Sequence, residues 1–260
     1  MFSPPQRYSG TVFSLLSGGG AVDYYYHWVI DSIPKLFLLQ KSGLVDQVDY
    51  FLVPNYALKF QIEYLKIFGI PEHKIVNAEI VRHIQAESLI VASYIRIMAH
   101  LPKWAPDFLF KSIVPPSPVK KNKLIYIARG DAAVNRKVLN EAELIVMLQQ
   151  MNFEIHFLSK LSVTEQAELF SSAKLIVASH GGGLTNLVFC NPGAKVVEFF
   201  PDNYVNHLFY DICNKRKVDY EYVVCRAADF TGNDLDRALA NVVADLDLIR
   251  KKVSKLLLSE

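Results

Sequence analysis

From Lys123 onward the sequence repeats one rhythm, in which a short apolar run is followed by a polar turn and an amphipathic stretch. The apolar runs are "KLIYIA", "EIHFLS", "KLIVAS" and "KVVEFF", and the first two intervals hold "NEAELIVMLQQMNF" and "SVTEQAELFSSA". Strict alternation of strand and helix implies parallel strands joined by right-handed crossovers, which is a doubly wound sheet. Asn140 and Glu143 have capping-box spacing at the start of the first of these helices. A short helix is expected after the glycines that follow "KLIVAS", and the stretch from about 232 to 258 reads as amphipathic and helical.

The first half carries the same β/α rhythm with different punctuation. A helical pattern runs from Asp23, a candidate N-cap, to Gly43, a candidate C-cap. Pro34 lies inside it and should kink it, because its ring removes one N–H and crowds the carbonyl of Ile30. Then come "VDYFLVP" as strand, "ALKFQIEYLKIFG" as helix, "KIVNA" and "AESLIVAS" as strands, and a helix near 104–112. "VPPSPVKKN", at 114–122, holds three prolines and a charge cluster and continues neither element, so it reads as a linker. The expected organisation is a first α/β domain at 1–113, the linker at 114–122, a second α/β domain at 123–230 and a C-terminal amphipathic helix at 231–260.

The 260 residues suit two α/β domains, and half of them are hydrophobic, as in a folded globular protein. The formal charge of +2 makes no large field. The clusters "NKRK" and "RKK" lack interleaved aromatics, which argues against nucleic-acid binding and leaves open a weak peripheral attraction to an anionic membrane surface. Cys190, Cys213 and Cys225 are odd in number and have no C-x-x-C spacing, so neither a disulfide framework nor a zinc site is expected. No secretory leader pattern and no uncharged apolar run of membrane-spanning length is read, and a soluble cytoplasmic protein is expected.

Parallel open sheets bind ligands outside the carboxyl ends of their strands. Arg129 follows "KLIYIA", "HGGG" follows "KLIVAS" as His180, Gly181, Gly182 and Gly183, and Glu198 lies in "KVVEFF". Three missing side chains let the main chain approach a ligand, and the amides that open the next helix attract anions, which points to a diphosphate. Arg129 and Arg136 can donate to phosphate oxygens, and Glu198 can accept ribose hydroxyls. A glycine-rich turn by itself serves equally as a tight strand-to-helix connection. In the first half His27 and Asp31 are four residues apart and share a helical face with Tyr24 and Lys35 alongside, an arrangement that suits either acid/base chemistry or a buried pair satisfying itself.

Other motif readings fit less well. "HGGG" also builds lipase oxyanion holes, but the required G-x-S-x-G elbow is missing. Gly181, Gly183 and Asn186 with Glu198 beyond approach a dinucleotide fingerprint without its third glycine, which leaves an NAD oxidoreductase as a weaker alternative. The D-x-D triplets Asp234 to Asp236 and Asp245 to Asp247 sit in the terminal amphipathic stretch and read as a solvated helix face. No metal site is expected.

"YYYHWVIDSIPKL" (24–36), "LIYIARGDAAVNRKVLNEAEL" (124–144) and "LSVTEQAELFSSAKLIVASHGGGLTNLVFCNPGAKVVEFFP" (161–201) together resemble the catalytic domain of glycosyltransferase family 61. They cover about a third of the chain and are specific as an ordered set. The resemblance implies a GT-B architecture of two Rossmann-like domains. It also implies an inverting, metal-independent transfer from a nucleoside-diphosphate sugar, without further cofactor, to a glycan or glycolipid hydroxyl. The family's H-W-x-x-D-x-x-P block falls on His27, Trp28, Asp31 and Pro34, with Asp31 expected as general base and His27 orienting it or acting in its place. The arginine-bearing loop falls on Arg129 and Arg136. The H-G-A-G-L-T-N block falls on His180 to Asn186, which adds Thr185 and Asn186 to the expected donor site, with Gly182 in place of alanine. Family members commonly carry more chain ahead of the first block, so the acceptor side is expected to be minimal or shortened, and a non-catalytic nucleotide-sugar-binding relative is the alternative class.

Overall fold

The computed structural model of the chain describes residues 4–116, 120–130, 136–228 and 239–258. The chain forms two compact units, Met1–Ile113 and Val114–Glu260. Each is built around a parallel sheet of the α/β kind.

In the first unit the strands are β1 (Gln6–Ser14), β2 (Tyr50–Val53), β3 (Ile75–Asn77) and β4 (Ile84–Val91), in the spatial order β3-β2-β1-β4 with every pair parallel. The central strand β1 was not legible in the sequence. Gly10, at φ +99, interrupts its alternation where the register against β4 shifts between Tyr8 and Thr11, as expected of a bulge. Because β2 and β4 flank β1 on opposite sides, the strand order reverses between β1 and β4.

The helix expected over 24–43 exists in three pieces. A single turn, α1 (Tyr25–His27), widens into a π turn at Trp28–Ser32, and α2 (Lys35–Ser42) begins after Pro34. Pro34 sits at the break, where its missing N–H costs nothing, and Gly43 ends α2 in the left-handed conformation at φ 72. Asp23 is not the cap. Tyr24 takes that position without a side-chain bond. The incoming chain is held instead by the fully buried Gln61 of α3 (Lys59–Ile67), whose Nε2 donates to Val22 O at 2.7 Å while its Oε1 accepts from Leu58 N at 3.0 Å. Helix α4 (Trp104–Ile113) closes this unit.

The second unit holds a six-stranded sheet in the order β10-β9-β8-β7-β5-β6, from β5 (Lys123–Ile127), β6 (Glu154–His156), β7 (Ala173–Ser179), β8 (Lys195–Pro201), β9 (Asp219–Ala228) and β10 (Asn241–Val243). All neighbours are parallel except the β9–β10 edge pair. The strand order reverses between β5 and β7, which is the switch point of a doubly wound sheet. Leu175, Val177, Val197 and Phe199 pack into a core with Leu144, Met147 and Leu148 of α5 (Glu141–Gln150) and Ile249, Val253 and Leu256 of α8 (Leu246–Leu258). Ile176, Ala178, Val196 and Phe200, on the opposite face, are buried too. Burial on both faces explains why these strands read as continuous apolar runs.

Three expectations change here. The Asn140–Glu143 capping box does not form. Asn140 Nδ2 donates to Ala244 O at 2.9 Å and its Oδ1 accepts from Ala244 N at 2.8 Å, a long-range pairing that outcompetes the local one. The terminal stretch is not one helix, since β10 precedes α8 and residues 231–238 lie outside the described set. Helix α7 (Leu208–Arg216) and strand β9 were also not anticipated. A capping box does form at α6 (Val163–Ser171), between Ser162 and Glu165. Cys190, Cys213 and Cys225 are free and buried, and burial pushes each thiol upward, Cys190 to about 12, so they pack as core residues.

Candidate active site

In the first unit the candidate residues His27 and Asp31 gather at the β1/β4 switch point. The loop after β1 runs through Gly18, Gly19 and Gly20. A Cβ at Gly20 would lie 2.6 Å from Cδ2 of the His27 ring, so the imidazole rests directly on glycine backbone. His27 Nδ1 is 2.7 Å from Asp31 Oδ2, as i, i+4 spacing predicts. Arg96, on the loop after β4, donates from Nε to Asp31 Oδ1 at 2.6 Å and from Nη2 to Oδ2 at 3.1 Å. Its Nη1 bonds the carbonyl of Met98, and the guanidinium lies 5.4 Å from the Tyr26 ring centre. Lys35 is buried and bonds the carbonyl of Leu16.

The electrostatics follow from this packing. Burial alone would raise the Asp31 carboxyl, but the hydrogen bonds from His27 and Arg96 and the charge of Arg96 outweigh it and hold the group below its ordinary value. Burial pulls the Lys35 ammonium down, with Asp31 partly offsetting it. Asp31 is therefore an ionised carboxylate with three donors on its two oxygens, and only 11% of its side chain is exposed. The His27 side chain is 38% exposed. With Nδ1 turned to Asp31, its other nitrogen, Nε2, makes no hydrogen bond among the described residues. A carboxylate that fixes one ring nitrogen leaves the other ready to take a proton.

In the second unit the glycines of "SHGGG" sit at the β5/β7 switch point. A Cβ at Gly181 would lie 2.7 Å from Nη1 of Arg129, and one at Gly183 would lie 2.8 Å from Cδ1 of Leu158. What comes so close to the backbone here is the protein's own guanidinium and a leucine. Arg129 is placed by its amide, which donates to Glu141 Oε1 at 2.6 Å, and by Nε, which donates to Arg136 O at 3.2 Å. Arg136 holds a positive φ of 60, and its guanidinium lies 5.7 Å from the Tyr204 ring centre. Tyr204 in turn packs edge-on to His180. Arg129 thus lies beside Gly181, with the Arg136 carbonyl bonded to it, where the first amides of the 3₁₀ turn Gly182–Phe189 have no intrahelical acceptor.

The remaining expected donor residues are inside the protein. His180 Nδ1 meets Glu198 Oε1 at 2.6 Å, and Glu198 Oε2 accepts from the Tyr220 hydroxyl at 2.6 Å. Asn206 Oδ1 accepts from Leu208 N, which turns Nδ2 toward His180 Nε2 at 3.1 Å. Side-chain exposures are 5% for His180 and 1% for Glu198. Both Glu198 oxygens are thus bonded within the protein, and its carboxylate is buried. Thr185 and Asn186 are also fully buried, and Asn186 Nδ2 donates to Gln166 Oε1 at 2.8 Å, tying the 3₁₀ turn to α6.

The chain matches the family model described as Glycosyltransferase 61 over residues 25–197. The chain belongs to glycosyltransferase family 61. Among relatives with this family's activity in their names, protein O-linked-mannose beta-1,4-N-acetylglucosaminyltransferase 2 of Takifugu rubripes is 37% identical over 87 residues, 32% of this chain and 14% of the relative. Its counterpart in Canis lupus familiaris is 38% identical over 81 residues, 29% of this chain and 14% of that protein. A xylan glycosyltransferase of Arabidopsis thaliana is 29% identical over 85 residues, 32% of this chain and 17% of that protein.

The family 61 match includes His27, Asp31, Arg96, Arg129 and His180 and ends one residue before Glu198. Sequence reasoning missed Arg96, Gly20, Asn206 and Tyr220. Arg96 had a usable signal, since it follows the carboxyl end of "AESLIVAS" just as Arg129 follows "KLIYIA". Of the D-x-D triplets, Asp234 to Asp236 lies outside the described residues. Asp245 caps α8 through Leu248 N at 2.9 Å. Among the described residues no group of three or more His, Cys, Asp or Glu is arranged to hold a metal ion, and no helix is long and apolar enough to cross a membrane.

Proposed function

We propose that this chain moves a glycosyl group from a nucleoside-diphosphate sugar to a hydroxyl of a glycan, with inversion and without a protein-held metal. The observation that carries the reading is the Arg129 guanidinium laid over Gly181 at the switch point of a parallel sheet, in a chain of this family. Arg129, Arg136 and the amides of Gly182 and Gly183 receive the diphosphate. Each well-aimed donor there contributes about 3 kcal/mol to the leaving group's stabilisation.

His27 acts as general base, with Asp31 and Arg96 as positioning residues. The acceptor O–H proton passes to His27 Nε2, the hydroxyl oxygen bonds to the anomeric carbon, and the bond from that carbon to the phosphate oxygen breaks with its electron pair leaving on the diphosphate. A single displacement from the opposite side inverts the centre. General base catalysis of this kind contributes roughly 10² to 10⁴ in rate. Asp31, held ionised by three donors, is the weaker choice of base. A GT-B arrangement and a cytoplasmic setting belong to the same proposal, the former supported by two parallel-sheet units. The relatives' names suggest an acceptor that is a sugar chain, of the O-mannose or xylan kind.

Calorimetry with UDP, GDP, CMP, ADP and NAD, each with and without EDTA, is the test. EDTA-insensitive binding of one nucleoside diphosphate, weakened in Arg129→Ala far more than binding of the bare nucleoside, is expected. NAD as the sole ligand would turn the reading to an oxidoreductase. Donor binding with no transfer to any acceptor would make the chain a binding relative.

A further inference from the structure

The second unit carries a concavity of about 450 Å³ that the transfer chemistry does not use. It lies on the side of the sheet that carries Glu198 and Phe200, beside the start of α7. Its floor is Phe200 of β8 and Tyr220 of β9, and its walls are Tyr222 of β9, Tyr210 of α7 and Val205. Tyr220 is fixed as floor because its hydroxyl is spent on Glu198. Its ring meets Tyr210 edge-on at 5.4 Å and lies 6.5 Å from Tyr222 at an interplanar angle of 30°. Tyr210 and Tyr222 leave 51% and 52% of their surface in water.

The polar groups at the rim decide what would fit. Asn206, His207 and Glu221 line the concavity. Glu221 is already bonded by Lys252 at 2.6 Å and Lys255 at 2.7 Å, so that corner is neutralised. Among the described residues no arginine or lysine lines it, which disfavours a phosphate or a nucleotide. Tyrosine rings offer flat apolar faces, and the hydroxyls of Tyr210 and Tyr222 offer hydrogen bonds at the edges. A neutral pyranose has the matching surface, with axial C–H groups on one face and hydroxyls around the rim. The volume falls in the range of small-ligand sites and admits one or two sugar rings.

We infer that the Tyr210–Tyr220–Tyr222 concavity is a binding site for a neutral sugar unit of a glycan. Only the naming of that glycan as an acceptor rests on the transferase reading, because binding itself does not require turnover.

The full chain is titrated with mannobiose, N,N′-diacetylchitobiose and xylobiose by saturation-transfer NMR, with UDP as an independent probe. Saturable binding of at least one disaccharide, near 1 mM, is expected. Tyr222→Ala and Tyr210→Ala should each weaken it about tenfold while leaving the circular dichroism spectrum and UDP affinity unchanged, and Tyr222→Phe should restore most of it. Both rings are half exposed, so the variants fold. A chain that binds UDP but none of the three disaccharides would overturn the site and leave the transferase reading standing. Loss of transfer with disaccharide binding intact would do the reverse. Displacement of the disaccharide by UDP, or a concentration-dependent dimer abolished by Tyr222→Ala, would also overturn it by giving the concavity to the nucleotide or to a second copy of the chain.

Discussion

The two switch points are built from the same parts and finished differently. Each has a glycine triplet after a strand, an arginine on the loop of the neighbouring strand, and a histidine bonded through Nδ1 to a carboxylate, as His27–Asp31 and His180–Glu198. Each also has a glycine whose missing Cβ makes room for a polar side chain, His27 over Gly20 and Arg129 over Gly181. In the first unit the arginine clamps the carboxylate and the imidazole is left partly in water. In the second the pair is sealed under Phe200, Tyr204 and Phe209, and the arginine lies over the glycine loop instead. Burial thus separates two copies of one arrangement, since the His27 ring reaches water and the His180 ring does not.

The sharpest way to break that contrast is to remove one member of each pair. His27→Ala should lower turnover by roughly 10² to 10⁴ and barely move the unfolding midpoint, because the ring rests on glycine backbone near the surface. Glu198→Ala should cost about 3 to 5 kcal/mol of stability, as breaking a buried pair does, since it strands both His180 and the Tyr220 hydroxyl. Turnover and thermal unfolding measured on both variants check this. If His27→Ala unfolds the chain and Glu198→Ala does not, the assignment of roles is reversed.

How much of this could be read from the sequence depended on how local each cause is. The strands β5, β7 and β8 were legible because burial on both faces writes apolar runs. The meeting of Arg129 with the glycine triplet was legible in outline because both follow the carboxyl ends of neighbouring strands. The pairing of Asn140 with Ala244, 104 residues away, was not, and neither was Tyr220 reaching Glu198. Thr185 and Asn186 belong to the same short motif as Gly181, yet a 3₁₀ turn sends them into the interior. Sequence proximity placed them in the motif, and only the backbone path shows which of its residues are buried.

A second, smaller effect separates the pairs by pH. Asp31 has a folded-state value below its unfolded one, so the unfolded chain binds the extra proton first on acidification. The stability it contributes is complete above the ordinary aspartate range near pH 4 and is lost as pH falls through the lower folded value. Asp31→Asn should flatten that acid leg of the stability curve. It should also depress turnover by roughly 10², because an amide must point a donor at either the imidazole N–H or the guanidinium of Arg96. Denaturant melts from pH 2 to 7 on both proteins read the first effect. An unchanged acid leg would mean that the clamp on Asp31 carries no net stability.

The least disruptive change asks whether the glycine of the second unit serves the fold or the ligand. Gly181 has an extended backbone, φ 167, which alanine also adopts. The new Cβ would meet only the far end of the Arg129 side chain, and a guanidinium on a flexible stem swings aside at a cost within about 0.5 kcal/mol. Gly181→Ala should therefore leave unfolding almost untouched while weakening nucleoside-diphosphate binding about tenfold, the worth of one misdirected charged hydrogen bond. Gly183→Ala supplies the control, because its Cβ would meet Leu158 and no arginine. Equal losses of affinity in the two variants would mean that the triplet matters for its turn alone. A loss confined to Gly181→Ala ties the missing side chain to the arginine and, through it, to the phosphate.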